Sequence, residues 1–300
     1  MVTEDTIGRQ LSIHAQTVLQ INSGISRTAH REPLATNKED LFMAQTVFNR
    51  VEKKYKLTKE KYDQFLERLL NHMEIDQFGK HTISNIYYDT ADNVLIRRSI
   101  EKPAYKEKLR LRSYGTPSIS DSVFLEIKKK YDGIVNKRRI ELPLQQAYDY
   151  LNSGIQPFES TQILNEMDYF LSLYDLSPKL LLAYERIALF GKEDSEFRVT
   201  FDTNIRSRTE DLHLEHGSHG KLLFDDQTHL MEVKITNSTP LWFSKLLSEY
   251  EIYNSSFSKY GSVYKKQQQE LANLNSNKAK VPTTTNPVFI PEGEYDFIAG

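Results

Sequence analysis

The chain has 300 residues, 39% hydrophobic and 27% charged, the balance of an ordinary globular protein, and its formal net charge of −2 gives no global basic excess of the kind that marks nucleic-acid binding. Cysteine is absent, which excludes disulfides, thiolate metal ligands and cysteine nucleophiles together. No run approaches the ~18 apolar residues of a membrane span, and the opening MVTEDTIGRQ lacks a secretion signal's basic-then-apolar layout, so a cytoplasmic location is expected.

Residues 1–44 are polar and mixed, an appendage with a short helix suggested around 11–21. The folded body is expected over 45–274. From 275 to 300 the chain turns poor in apolar residues and carries Pro282, Pro287 and Pro291, the composition of a flexible tail. Within the body, strands are expected over 47–57, 82–89, 105–114, 121–131, 134–143, 179–190, 195–206 and 228–237. A helix should follow Thr58 as N-cap, with Tyr62, Phe65, Leu66, Leu69, Leu70 and Met73 on its buried face. Further helices are expected over 144–152, 160–173, 240–250 and 262–273. Hairpin-length gaps such as Tyr131-Asp132-Gly133 favour antiparallel pairing, so the predicted fold class is α+β: an antiparallel β-barrel tunnel of about eight strands with flanking helices.

Charge recurs at every second strand position, and alternate residues of a strand share a face. Arg50, Glu52, Lys54 and Lys56 alternate with Val51 and Tyr55; Lys108, Arg110 and Arg112 alternate with Leu109 and Leu111. The pattern continues with Glu126 and Lys128, with Lys137, Arg139 and Glu141, with Arg186, with Arg198, Thr200 and Asp202, and with Glu232 and Lys234. Of the run Lys128 to Lys130, only Lys128 is assigned inward. An ordinary sheet with one wet face also alternates, but it mixes Thr, Ser and Gln with its charges. If helices cover the apolar face, the charged face points into the barrel, where unpaired cations cost several kcal/mol each. The inward glutamates look too few to neutralise them, so a polyanionic ligand is expected.

The segments VEKKYKL, YYDT, YKEKLRLRSYG, FLEIKKKYDG, YERIALF, FRVTFDT, MEVKIT and FSKYG, in that order over 45–265, resemble the VTC domain. That domain is the polyphosphate-polymerising part of the vacuolar transporter chaperone family, within the CYTH or triphosphate tunnel metalloenzyme superfamily. The resemblance implies that ATP γ-phosphate passes to orthophosphate or a growing polyphosphate chain, with ADP released and Mn²⁺ or Mg²⁺ as cofactor. It implies catalytic roles for Lys54, Arg110, Arg112, Lys128, Arg186 and Arg198. Phosphate binding falls to these and to Lys137, Arg139, Lys234 and Lys259, of which Lys259 comes from the resemblance alone. Glu232 is the implied metal ligand, with Glu52 a second candidate. Arg50 stands where the superfamily's hydrolases and cyclases usually carry a carboxylate, which favours the polymerase branch. No inositol-phosphate-sensing domain or membrane helix accompanies the motifs, which leaves room for a membrane-protein partner. A tunnel triphosphatase, activating water through Glu52, Glu126 or Glu141, is the runner-up; a non-catalytic polyphosphate- or nucleotide-binding subunit is the third reading.

Three other features carry less. His213, His216 and His219 have metal-like spacing but sit beside Gly217 and Gly220, as in an exposed loop. Gly220-Lys221 lacks the remaining residues of a phosphate-binding P-loop. Trp242, with Phe243, Leu246 and Leu247, is read as helix core.

Overall fold

The computed structural model describes residues 51–279 apart from Gly133, Asp226 and Asn237. The expected appendage of 1–44 and Arg50 lie outside the described residues, as does the expected 275–300 tail from 280 on, whereas 275–279 are helical. The elements in chain order are β1 Val51–Leu57, α1 Lys59–Leu69, β2 Met73–Ile75, β3 His81–Asp89, α2 Val94–Ile100, β4 Tyr105–Tyr114, β5 Ser122–Tyr131 and β6 Ile134–Pro143. They continue with α3 Leu144–Ser153, α4 Gln162–Leu173, β7 Ser177–Gly191, β8 Arg198–Arg208, β9 Lys221–Leu222, β10 His229–Ile235, α5 Leu241–Glu249 and α6 Lys259–Ala279. The chain divides into two compact units at Val263/Tyr264, and the sheet belongs to the first.

The fold is α+β, as the alternation predicts. One antiparallel sheet runs in the order β1-β10-β8-β7-β3-β4-β5-β6, with β2 beside β7 and β9 beside β8. Its outer face is apolar and covered. Leu109, Leu111, Val123, Leu125 and Ile140 pack under Ala147 and Tyr150 of α3 and under Leu164 and Phe170 of α4. Tyr55, Leu57, Val199, Met231 and Val233 pack under Phe65 and Leu69 of α1 and under Phe243 of α5. Burial of these two layers is the main stabilising term and forces the alternate, charged residues onto the concave face. Lys128 of β5 reaches Glu52 of β1 at 2.9 Å, so the ends of the sheet face each other across the interior.

The word barrel needs correction. Among the described residues no strand joins β6 to β1. The free edge of β1 is taken instead by the segment before α6: Ser255 N–H donates to the Lys54 carbonyl at 2.7 Å, and the Lys54 N–H donates to Asn254 Oδ1 at 3.3 Å. The channel is therefore open-sided, and β1 is closed off by a loop.

Three smaller differences have local causes. Met73 is not on the helix face; α1 ends at Leu69 and Met73 begins β2 against Gly191. The expected last helix starts earlier, so Lys259 is its first residue rather than part of a loop. Helix α2 has no side-chain cap at Asn93; its N–H groups at Leu95 and Ile96 are received by the Asp89 carboxylate at 2.8 and 2.9 Å, from the end of β3. Thr58 does cap α1, accepting from the Lys61 N–H at 3.3 Å.

Candidate functional site

The inner face collects cations from six strands. Lys54 comes from β1, Lys108, Arg110 and Arg112 from β4, Lys128 from β5, Lys137 from β6, Arg186 from β7 and Lys234 from β10. Strand register aligns them: Lys108 lies opposite Lys128, Lys128 opposite Lys137, and Lys54 opposite Glu232. Lys259 enters from the first turn of α6. Arg139 and Arg198 have the inward parity but are exposed, Arg139 lying over the Phe124 ring and Arg198 donating to the Ser195 carbonyl. In the Lys128–Lys130 run, Lys130 shares the inner face with Lys128 and lies opposite Lys106, whereas Lys129 turns outward toward Glu166 of α4.

The carboxylates are more engaged than strand parity suggests. Glu126 is fully buried and accepts from Arg110 Nε at 2.7 Å and Lys137 Nζ at 2.7 Å, with Arg112 at 3.8 Å. Asp202, also fully buried, accepts from Arg186 Nε at 2.6 Å, Arg186 Nη2 at 2.8 Å and Lys259 Nζ at 2.5 Å. These two triads hold the arginine forks at fixed places on the wall. Burial opposes ionisation of Glu126, but Arg110, Arg112 and Lys137 outweigh it and hold its carboxyl well below the usual range.

Two lysines are less well compensated: Lys108 has no carboxylate partner among the described residues, and Lys137, although bound to Glu126, is crowded by arginines. Lys108 donates to the Ser258 hydroxyl at 3.3 Å. Burial first, then the charges of Lys54 and Lys128, pull its pKa down to about 8. Lys137 is pushed to about 8 by burial, and by Arg112 and Arg110, despite Glu126. Two tyrosines complete the wall. Tyr87 accepts from Arg110 Nη1 at 3.4 Å, and Tyr184 accepts from Arg112 Nη2 at 3.5 Å and lies under Lys259 at 4.7 Å. Burial would raise the Tyr87 pKa, yet Arg110 and Lys108 draw it down to about 8. Neither tyrosine is among the site residues expected from the sequence, although both have the inward parity in YYDT and AYERI.

Glu232 differs from the other inner carboxylates. Its side chain is 15% exposed, yet its ion-pair partner, Lys54, stands 3.8 Å away. Burial resists its ionisation, but Lys54, Lys234, Lys128 and Arg186 keep the carboxyl well below its ordinary pKa. Burial and then Glu232 oppose ionisation of Glu52, but Lys128, bonded at 2.9 Å, and Lys54 outweigh them and hold its pKa below the ordinary value. An ionised, loosely partnered carboxylate beside a second one suits a hard divalent cation, since Mg²⁺ is commonly held by one or two carboxylates plus substrate phosphates. The three histidines do not suit one. His213, His216 and His219 are exposed on a loop where His216 pairs with Asp211 and His213 with Glu215, and among the described residues no group of three or more His, Asp or Glu is placed to hold a metal. Gly220 serves packing: a Cβ there would stand 2.7 Å from the Ser207 carbonyl oxygen of β8. Trp242 stacks on His72 and meets Phe197 edge-on, outside the channel.

With this geometry in view, the sequence profile of the VTC domain matches residues 49–267. Subunit 4 of the vacuolar transporter chaperone complex from Trypanosoma brucei brucei is 29% identical over 163 residues, which is 45% of this chain and 21% of that protein. Its counterpart from Trypanosoma cruzi is 28% identical over 167 residues, 45% of this chain and 20% of that protein. The chain thus spans about a fifth of the length of these curated relatives. Among solved structures, a candidate adenylate cyclase from Bacillus halodurans has a TM-score of 0.48 and 16% identity, over 71% of this chain and 96% of that one. A candidate adenylyl cyclase from Hippeastrum with a dominant triphosphatase activity has a TM-score of 0.44 and 17% identity, over 70% and 93%. Likeness at that level does not carry an activity across.

Proposed function

The chain belongs to the VTC domain family, and from that premise we propose that it is a polyphosphate polymerase, transferring the γ-phosphate of ATP to a growing polyphosphate chain. The observation that carries this reading is the division of labour on the inner face. The carboxylates that a hydrolase would use to activate water are engaged: Glu126 binds Arg110 and Lys137, and Glu52 binds Lys128. Glu141 is exposed on β6. Meanwhile Lys108 and Lys234 remain available to phosphate. A polymerase needs no base, because the attacking phosphate oxygen is already ionised near neutral pH.

In this reading Arg110 held by Glu126, Arg112 held by Asn85 Oδ1 at 2.9 Å, and Arg186 held by Asp202 take the triphosphate oxygens with their remaining N–H groups. Lys54, Lys108, Lys128, Lys137, Lys234 and Lys259 supply point charges along the path, with Arg139 and Arg198 at its ends. The acceptor's terminal oxygen forms a bond to the γ-phosphorus in line, the bond from that phosphorus to the β–γ bridging oxygen breaks, and the electron pair leaves on ADP. Glu232, with Glu52, would hold a divalent ion such as Mn²⁺ or Mg²⁺, which when bound polarises the phosphoryl oxygens. Among the described residues no helix is long and apolar enough to cross a membrane. The relatives' place in a complex supports a partner chain, and any membrane association would come through it.

The test is direct. Purified protein given γ-labelled ATP and Mn²⁺ should yield ADP and a ladder of polyphosphate on a gel. Label appearing as free phosphate at the rate ADP forms, with no polymer even from a short primer, replaces this reading with a triphosphatase. Tripolyphosphate bound without any ADP formed replaces it with a binding subunit.

A further inference from the structure

At one end of the inner face the charged side chains give way to rings. Tyr114 closes β4 two residues past Arg112 on the same face, about 7 Å further along the strand. It is 50% exposed. Its ring meets Phe124 edge-on at 5.7 Å and His81 at 6.0 Å. Phe124 lies opposite Arg112 in the β4–β5 register, and His81 lies opposite Arg186 in the β3–β7 register. Arg139 covers Phe124 at 4.7 Å. Each ring thus stands next to an arginine of the phosphate set. At the opposite end of β4 and β5 the inward pair is instead Lys106 and Lys130.

We propose that Tyr114, steadied by Phe124 and His81, is the stacking platform for the nucleobase of the triphosphate donor. This rests on the reading of the channel as a nucleotide-using phosphate site. A half-exposed tyrosine beside a polyanion site is already held by an edge-on Phe124 and a tilted His81, so little side-chain freedom is lost when a flat aromatic ligand covers it. A base on Tyr114 leaves its triphosphate beside Arg112 and Arg110, and turns the growing chain toward Lys108, Lys106 and Lys130. Stacking tolerates any base, so ATP and GTP should bind alike.

Calorimetry with a non-hydrolysable ATP analogue and with tripolyphosphate tests the platform. Tyr114→Ala should weaken the nucleotide about tenfold and leave tripolyphosphate within about twofold, while Tyr114→Phe restores nucleotide affinity. Retained tripolyphosphate binding also reports that the variant is folded. If Tyr114→Ala changes both ligands equally or neither, the platform is overturned while the phosphate channel stands. If the unaltered protein binds neither ligand, both fall together.

Discussion

Arg110 and Lys108 stand two residues apart on one face of β4, yet their contributions to stability should differ in sign. Arg110 neutralises Glu126, which has no exposure, so Arg110→Ala leaves that carboxylate to Lys137 and the more distant Arg112. We expect a loss of about 2 kcal/mol in urea unfolding, less than the ~3–5 kcal/mol of a buried pair broken outright, together with weaker tripolyphosphate binding. Lys108 has a hydroxyl for its partner and a depressed pKa. Lys108→Met should therefore raise the ligand-free melting temperature while also weakening tripolyphosphate. A fall in melting temperature for Lys108→Met would mean its charge is better compensated than its contacts indicate. Glu232→Gln should abolish ATP turnover with the circular dichroism spectrum unchanged; turnover within about twofold of the unaltered protein would remove Glu232 from the chemistry.

Asp89, at the element scale, ties three pieces of chain together. Its carboxylate receives the N–H groups of Thr90, Leu95 and Ile96 and the Tyr260 hydroxyl, joining β3, α2 and the start of α6. Tyr260 in turn lies against Tyr87, the two rings tilted with centroids 4.8 Å apart. Asp89→Ala leaves buried N–H groups without acceptors, at a cost of about 3 kcal/mol, the scale of a lost charged hydrogen bond and helix cap. Faster amide hydrogen exchange over α2, with exchange in β5 and β6 unchanged, is the expected local signature. The Asp of YYDT therefore serves the frame of the channel, and helix α2 escaped detection because its cap comes from a strand rather than from the residue before it.

Over the whole molecule, the crowding of like charge should make stability and tripolyphosphate affinity respond oppositely to pH. Lys108, Lys137 and Tyr87 each titrate at about 8 in the folded chain, below the ordinary values of ~10.4 for Lys and ~10 for Tyr. Between about pH 8 and pH 10 the unfolded chain therefore binds more protons than the folded one, so ligand-free stability rises with pH. The same proton losses remove two cations and create a phenolate beside Arg110, so affinity for tripolyphosphate falls across that window. Melting curves and calorimetry at pH 7.5, 8.5 and 9.5 should diverge in this way. Parallel trends would place these groups outside the phosphate path.

Strand parity made the sheet's two faces legible in the sequence, because a two-residue period and helices with apolar stripes leave one consistent arrangement. It placed Lys54, Arg110, Arg112, Lys128, Lys137, Arg186 and Lys234 on the inner face without any knowledge of pairing. Register decided the rest. Whether Arg110 meets Glu126, or Arg186 meets Asp202, depends on which strands become neighbours and by how many residues they are offset, and parity within one strand carries no information about its neighbour. The same holds for the open side of the channel: the edge of β1 that β6 would take is occupied by the Asn254 side chain and the Ser255 backbone, some two hundred residues away along the chain.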